Sequence, residues 1–328
     1  MPRKNSAVKN ILVVRNDRFG EFLLNIPSLR ALRETFNTAK IIIVVSPQVR
    51  ELAESVPFVD EVMVWGSRKH AFSEKLRLAG ILRKKKLDMA IMLNPSRQFN
   101  ILAFLAGIPV RVGYDRKWGF LLTKKIEDKK HLGERHEIEY NLELVGLVGA
   151  RTDEFSLSLN LDENKANRLA ATFGIGTSDG FIALHPWTSD PIKQWPQENF
   201  QILAERLARE QKQKVLVIGG KDELSKGAEA YNHLGENVIN MTGKTTLLEL
   251  AGLLKKSKLL ISGDSGPVHL ACAVETPVIA LFRNDIPGKS AKRWGPRQKD
   301  SLVIEKGNLS EITVEEVLGK TKQILGEK

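Results

Sequence analysis

The chain has 328 residues, 42% of them hydrophobic and 27% charged, enough for two domains of ordinary size, each with its own core. That composition excludes dominant disorder. Cys272 is the single cysteine, which excludes an internal disulfide, and the longest charge-free apolar stretch, Phe99 to Val110, falls short of the ~20 residues that span a bilayer. Lys and Arg outnumber Asp and Glu by 50 to 39, a net charge of +11, and the excess is lopsided: 26 basic against 16 acidic residues up to Ala150, but 24 against 23 beyond it. Only the first half should attract an anionic partner. Met1 to Ser6 lacks the apolar core and cleavage site of a signal peptide, so a cytoplasmic, reduced setting is expected.

In chain order, Asn10 to Arg15 is a short β-branched run typical of a buried strand. A loop from Asn16 to Glu21 leads into a helical pattern over Phe22 to Phe36, with Leu23, Ile26, Leu29, Leu32 and Phe36 three or four apart and Arg30 and Arg33 in or beside the stripe. Then come a strand (Ala39 to Val45), a helix (Pro47 to Ser55), a short strand (Glu61 to Trp65), a basic amphipathic helix (Phe72 to Lys86) and a strand (Met89 to Leu93). The second half restarts the alternation: strand Phe181 to His185, helix Pro196 to Gln211, strand Lys214 to Ile218 ending in Gly219-Gly220, and short strand Val238 to Asn240. Helix Thr246 to Lys256, strand Leu259 to Ser262, a helix starting near Asp264, strand Val278 to Phe282 and an amphipathic helix Thr313 to Leu325 complete it. Strands with almost no period-2 polarity, alternating with helices, predict parallel sheets covered on both faces. The expected fold is α/β, two Rossmann-like domains facing a central cleft, residues 1–160 and 161–328, with the final helix free to pack back across to the first.

Three loops carry candidate chemistry. In Arg15 to Glu21, Gly20 permits a tight turn, and Glu21 either takes a proton from a substrate hydroxyl or favours the dipole of the following helix. The loop from His185 to Pro196 holds hydroxyls and Lys193, a compact cation suited to phosphate; the alternative is a surface loop whose tryptophans pack on the domain edge. Ser262 to Leu270 reads as strand, glycine-flanked turn and helix start, where the N–H groups of Asp264 to Gly266 would bind a phosphate or diphosphate. Capping by Asp264 or Ser265 accounts for one residue there but not for two glycines. Gly243-Lys244-Thr245 is not a P-loop, because Val238 stands where that motif needs glycine, and Gly219-Gly220 lacks the rest of a dinucleotide fingerprint. The scattered histidines offer no metal-ligand spacing, no Gly-x-Ser-x-Gly is present, and Cys272 in an apolar helix reads as core.

Together and in this order, the loops resemble glycosyltransferase family 9, the ADP-heptose:lipopolysaccharide heptosyltransferases of GT-B fold. The resemblance runs from Ile11 to Leu325. It includes Pro57 to Val62, Arg111 to Tyr114, His136 to Leu142, Gly219 to Glu223 and Gly243 to Thr245, and is most specific over Gly263 to Ala271. It implies an inverting transferase that needs neither metal nor cofactor and takes a nucleotide sugar, ADP-heptose or a relative, as co-substrate. The donor would lie in the C-terminal domain, with its diphosphate at Asp264, Ser265 and Gly266, its charge offset by Lys193, and hydroxyls from Thr188 and Ser189. Glu223 would reach the ribose, and Lys244, Thr245 and His269 complete the donor side. The acceptor, an anionic phosphorylated glycolipid, would lie against the N-terminal domain, with Glu21 as base and Asp17 as the alternative. Glu21 departs from the family's usual Asp and Ser265 from its commoner Thr; the first change also fits a weakly active or inactive relative that only binds. Basic clusters Arg83 to Lys86, Arg116-Lys117 and Lys124-Lys125 would hold the enzyme on the cytoplasmic face of the inner membrane. Nucleic acid is not expected as a partner, for want of a helix-turn-helix or an aromatic-studded sheet.

Overall fold

The computed structural model describes residues 8–66, 70–175 and 180–326; the Met1 to Ser6 segment read above lies outside the described residues. They fall into two compact units, the first running to His131 and including Glu137–Phe155, the second made of Leu132–His136 and the chain from Ser156 onward.

Apolar runs such as Ile11 to Val14 and Ile41 to Val45 are buried along their whole length, as strands covered on both faces must be. The first unit holds β1 (Asn10–Val14), β2 (Lys40–Val45), β3 (Glu61–Val64), β4 (Met89–Met92), β5 (Val110–Tyr114) and β6 (Lys124–Ile126), all parallel, in the order β3-β2-β1-β4-β5-β6. The second holds β7 (Phe181–His185), β8 (Lys214–Val217), β9 (Val238–Asn240), β10 (Ser257–Gly263), β11 (Val278–Arg283) and β12 (Leu302–Lys306), also parallel, in the order β12-β11-β10-β7-β8-β9. Counted within its own unit, the second order repeats the first: both are doubly wound Rossmann sheets. The winding reverses between β1 and β4 in one and between β7 and β10 in the other. Ligands of such sheets bind beyond the carboxyl ends of the strands at that reversal. The segments after β1, β7 and β10 are the three loops singled out from the sequence.

Helices Phe72–Lys84 and Arg97–Leu105 cover one face of the first sheet, with Leu78, Leu82, Phe99 and Leu102 packed among Leu12, Val14 and Ile42. In the second unit, Phe200, Leu203 and Leu207 of helix Gln197–Arg209 join Val317 and Leu318 of helix Val314–Leu325 over Leu184, Val217 and Ile261. The single helix expected over Phe22 to Phe36 is two, Phe19–Leu23 and Ile26–Thr35. Pro27 has no N–H for the fourth carbonyl before it, and the Asn25 side-chain amide donates to the Glu21 carbonyl at the break.

Gly219-Gly220 has a packing role. A Cβ at Gly219 would stand 2.6 Å from Trp187 Nε1 and 2.9 Å from Thr242 Cγ2. Gly219→Ala is therefore expected to cost ~1–3 kcal/mol of stability, measured as a lower urea midpoint.

Candidate functional site

In the first unit, β1 delivers Arg15 into a buried network. Its Nε lies 2.8 Å from Asp17 Oδ1, its Nη1 donates to the Leu93 carbonyl at 3.1 Å, and the same nitrogen is 3.9 Å from Glu137. Glu137 also pairs with buried Lys130, which donates to Asn141 Oδ1 at 2.8 Å and sits 4.8 Å from the centre of the Tyr114 ring. Burial opposes the Arg15 charge, but Asp17, Glu137 and Glu21 around it keep the guanidinium protonated. The helix starts at Phe19, so Glu21 lies in its first turn. Burial, then the negative charge of Asp17, raises the Glu21 carboxyl above its ordinary value; Arg15 only partly offsets this. Among the described residues no ion pair engages Glu21, whereas Asp17 is tied to Arg15. The two carboxylates therefore differ in state: Asp17 is held against a guanidinium, and Glu21 is raised by burial and by its negative neighbour.

A cavity of about 770 Å³ opens beyond β1, β2 and β3, lined by Asn16, Asp17 and Arg18, Ser46 to Gln48, Val64 to Gly66 and His70. The rings of Trp65 and His70 stack 3.7 Å apart in its wall, and His70 Nε2 lies 2.9 Å from the Gly66 carbonyl. Glu21 is not among the lining residues.

In the second unit, the loop after β7 is anchored at both ends by tryptophans. Trp195 is wholly buried, donates from Nε1 to the Ile312 carbonyl at 2.9 Å and meets Phe200 edge-on; Trp187 packs edge-on to Tyr231. The tryptophans are core rather than packed on a domain edge, and the polar residues between them follow the carboxyl end of β7. Asp190 accepts from the Ile192 N–H at 3.2 Å and from Lys289 at 2.8 Å, and Lys289 holds its carboxyl below the usual range. Lys193 forms an ion pair with Asp264, which follows β10. Burial raises the Asp264 carboxyl, and Lys193 opposes that shift. Ser265 precedes helix Gly266–Ala273, but its hydroxyl does not cap that helix. It lies instead 3.1 Å from His185 Nδ1 and 2.8 Å from the Ser262 hydroxyl, which is itself 3.1 Å from His185. A helix N-terminus left without a side-chain cap, beside a lysine and hydroxyls, is an anion-binding arrangement.

Because every strand of this sheet is parallel, the segments after β7, β8, β9 and β10 share one edge. That brings Thr188, Ser189, Lys193, Glu223, Lys244, Thr245, Asp264, Ser265 and Gly266 to the same side. Thr188 exchanges hydrogen bonds with the Asp190 backbone, and Ser189 is exposed. The Glu223 carboxylate folds over Gly220, where a Cβ would approach Oε2 to 2.9 Å. Lys244 Nζ donates to the Asn240 carbonyl at 2.6 Å, Thr246 rather than Thr245 caps the next helix, and His269 is buried within helix Gly266–Ala273. Burial pushes the Cys272 thiol up to about 12, so it stays protonated at neutral pH.

Residues 75–321 match the model of glycosyltransferase family 9 (heptosyltransferase). The chain belongs to glycosyltransferase family 9. Lipopolysaccharide heptosyltransferase 2 of Salmonella typhimurium is 26% identical over 294 residues, covering 84% of this chain and 83% of the relative. The structure of E. coli ADP-heptose lps heptosyltransferase II superposes with a TM-score of 0.84 at 23% identity, covering 96% of this chain and 98% of that one. A heptosyltransferase from E. coli with ADP-2-deoxy-2-fluoro heptose gives 0.73 at 18% identity, covering 96% and 99%. The fold class expected from the sequence, α/β of GT-B type with two parallel Rossmann-like sheets, is the one these relatives share.

In this family 9 chain the residues that sequence reasoning left without a role are His185, Asp190, Lys289, Trp65 and His70. The partners of His185, Asp190 and Lys289 lie far along the chain, whereas Trp65 and His70 stack on each other only five residues apart; of the five, His185 stood directly after an apolar run. Burial lowers the His185 imidazole to about 3 from an ordinary 6.5. Between those values the unfolded chain binds a proton that the folded one excludes. The contribution of His185 is therefore complete above about pH 6.5 and is lost as pH falls toward 3, by up to ~1.4 kcal/mol per pH unit. His185→Gln should flatten this acid-side slope, which urea midpoints at pH 7 and 4.5 would measure.

Proposed function

We propose that the protein transfers a heptose, or a related sugar, from an ADP-sugar to a hydroxyl of a lipopolysaccharide core-type glycolipid, by inverting displacement and without a metal. The second unit takes the donor, and the first takes the acceptor. The observation that carries this reading is the reversal point of the second sheet, where Lys193, Asp264, Ser265 and an uncapped helix start converge. There the diphosphate would accept from backbone N–H groups and the Ser265 hydroxyl, and Lys193 would turn from Asp264 to a phosphate oxygen. Fixed donors facing the departing diphosphate lower the barrier because they need no reorganisation as charge develops. Glu223 would contact the ribose, and Thr188, Ser189, Lys244, Thr245 and His269 would line or support the donor site. On the acceptor side Glu21 would take the hydroxyl proton as that oxygen attacks the anomeric carbon. The cavity beside Asp17 is of a size for a sugar-bearing headgroup. An acceptor of this kind is anionic and lipid-borne, which fits the basic charge of the first half and a peripheral position at the cytoplasmic membrane face.

Thermal unfolding in the presence of nucleoside diphosphates tests the donor. ADP at a hundredfold excess over its Kd should stabilise the protein by about 2.7 kcal/mol and raise Tm, with UDP and GDP weaker. A preference for UDP would overturn the ADP-heptose assignment while leaving the family and fold intact.

A further inference from the structure

The positive charge of the first unit is concentrated in the same stretch of sequence as several of its exposed aromatic side chains. From Phe72 to Lys125 the sequence holds 12 basic and 3 acidic residues, nearly the whole excess of the first half. Within that stretch Phe72 is 75% exposed, Phe104 51%, Trp118 42% and Phe120 70%. Scattered exposed aromatics are ordinary, but ones that lie against each other, as Trp118 and Phe120 do, mark an interaction surface.

Trp118 and Phe120 are held in place. Their ring centres are 5.6 Å apart, and the Arg97 guanidinium lies 4.1 Å from the centre of the indole. Helix Arg97–Leu105 packs on the Gly119–Leu121 turn, and Arg111 sits 5.6 Å from the ring of Phe104 on that helix. The backbone is strained to achieve this: Lys117 has φ +47° and Trp118 φ +71°, a left-handed conformation that bulky residues rarely adopt. The Asn100 side-chain amide donates to the Lys117 carbonyl at 3.1 Å, and Gly119 leaves room for Asp115, whose Oδ1 would be 2.5 Å from a Cβ there. Strain kept up by specific contacts, with its effect an outward-facing indole, is a mark of function rather than of packing.

We propose that this face is a membrane-docking surface. Trp118, Phe120 and Phe104 enter the headgroup level of an anionic bilayer, and Arg97, Arg111 and Lys117 beside them contact lipid phosphates. An amphipathic indole suits that depth, and each basic residue near an anionic leaflet adds attraction. Charge decides between occupants. A second copy of the same face would set Arg97, Arg111 and Lys117 against like charges, so self-association is opposed, whereas anionic lipid complements them. The proposal rests on the reading that the acceptor is lipid-borne, and it names the side chains that reach the membrane.

Co-sedimentation of the full chain with vesicles tests it, using 3:1 phosphatidylethanolamine and phosphatidylglycerol against pure phosphatidylcholine. Wild type should bind the anionic vesicles at least tenfold more tightly. The double variant Trp118→Gly, Phe120→Ser should lose at least tenfold on those vesicles at unchanged Tm, since glycine suits the left-handed position, and should keep its activity on a soluble acceptor. Brominated acyl chains should quench wild-type tryptophan fluorescence, and Trp118→Phe should remove most of that quenching. Equal binding by the double variant, or no quenching, would overturn this surface and leave the lipid-acceptor reading standing. No wild-type binding to either vesicle would overturn both. A wild-type dimer dispersed by the double variant would make the face a contact between copies and overturn the proposal.

Discussion

Glu21→Gln is expected to lower the rate constant of transfer by about 10²- to 10⁴-fold, the usual contribution of a general base, with donor affinity close to wild type. The amide keeps the shape of the side chain and removes only its capacity to accept the proton. The prediction rests on the contrast between the two carboxylates of the first loop. Asp17 is held against the buried Arg15 guanidinium, whereas Glu21 is raised by burial and by the charge of Asp17. A raised carboxyl is the stronger base once ionised. The wild-type rate should therefore fall as pH drops through a value above the ordinary 4.5 of a glutamate. Asp17→Asn removes a negative neighbour, so it should shift that acid limb to lower pH and retain most of the rate. Transfer unaffected by Glu21→Gln and abolished by Asp17→Asn would reassign the base.

Lys193→Met is expected to act on both stability and catalysis. Lys193 and Asp264 are largely buried, with side-chain exposures of 19% and 9%, so removing the cation leaves a carboxylate in a poor medium for its charge. The cost should be about 3 kcal/mol, at the lower end for a broken buried pair because Asp264 can take up a proton instead. Transfer should fall by about 10²- to 10³-fold, as for loss of one fixed group facing the leaving group. The double variant Lys193→Met, Asp264→Asn separates the two effects. It should recover most of the stability, read from urea midpoints as a coupling between the sites, and recover little of the transfer. Recovery of both would make the pair purely structural.

The parts of the fold most legible in the sequence are the strands buried on both faces. β1, β2 and β7 carry apolar runs of four or five residues buried along their length, and β10 carries one at Leu259 to Ile261. The strands that escape such reading are edge or near-edge strands. β6 begins with two exposed lysines, β12 ends in Glu305-Lys306, and β5 carries Arg111, whose guanidinium reaches the Leu121 carbonyl at 2.7 Å. The three loops were legible because glycines, a helix start and a strand end coincide within a few residues. Their internal wiring was not: His185 meets Ser262 across 77 residues of sequence, and Asp190 meets Lys289 across 99. Those partners are brought together by strand order, which local patterns do not encode. The helix break at Asn25 was legible in principle from Pro27, but the apolar spacing on either side of it ran on undisturbed.

Product formation by the purified full chain tests the central claim most directly. Incubated with ADP-heptose and a heptose-free lipopolysaccharide core lipid, the protein should add one heptose to the lipid and release ADP in equal amount, seen by mass spectrometry and nucleotide chromatography, and Glu21→Gln should suppress both. Tight binding of ADP-heptose with neither product formed by the wild type would contradict the account and leave a sugar-nucleotide-binding relative that has lost transfer.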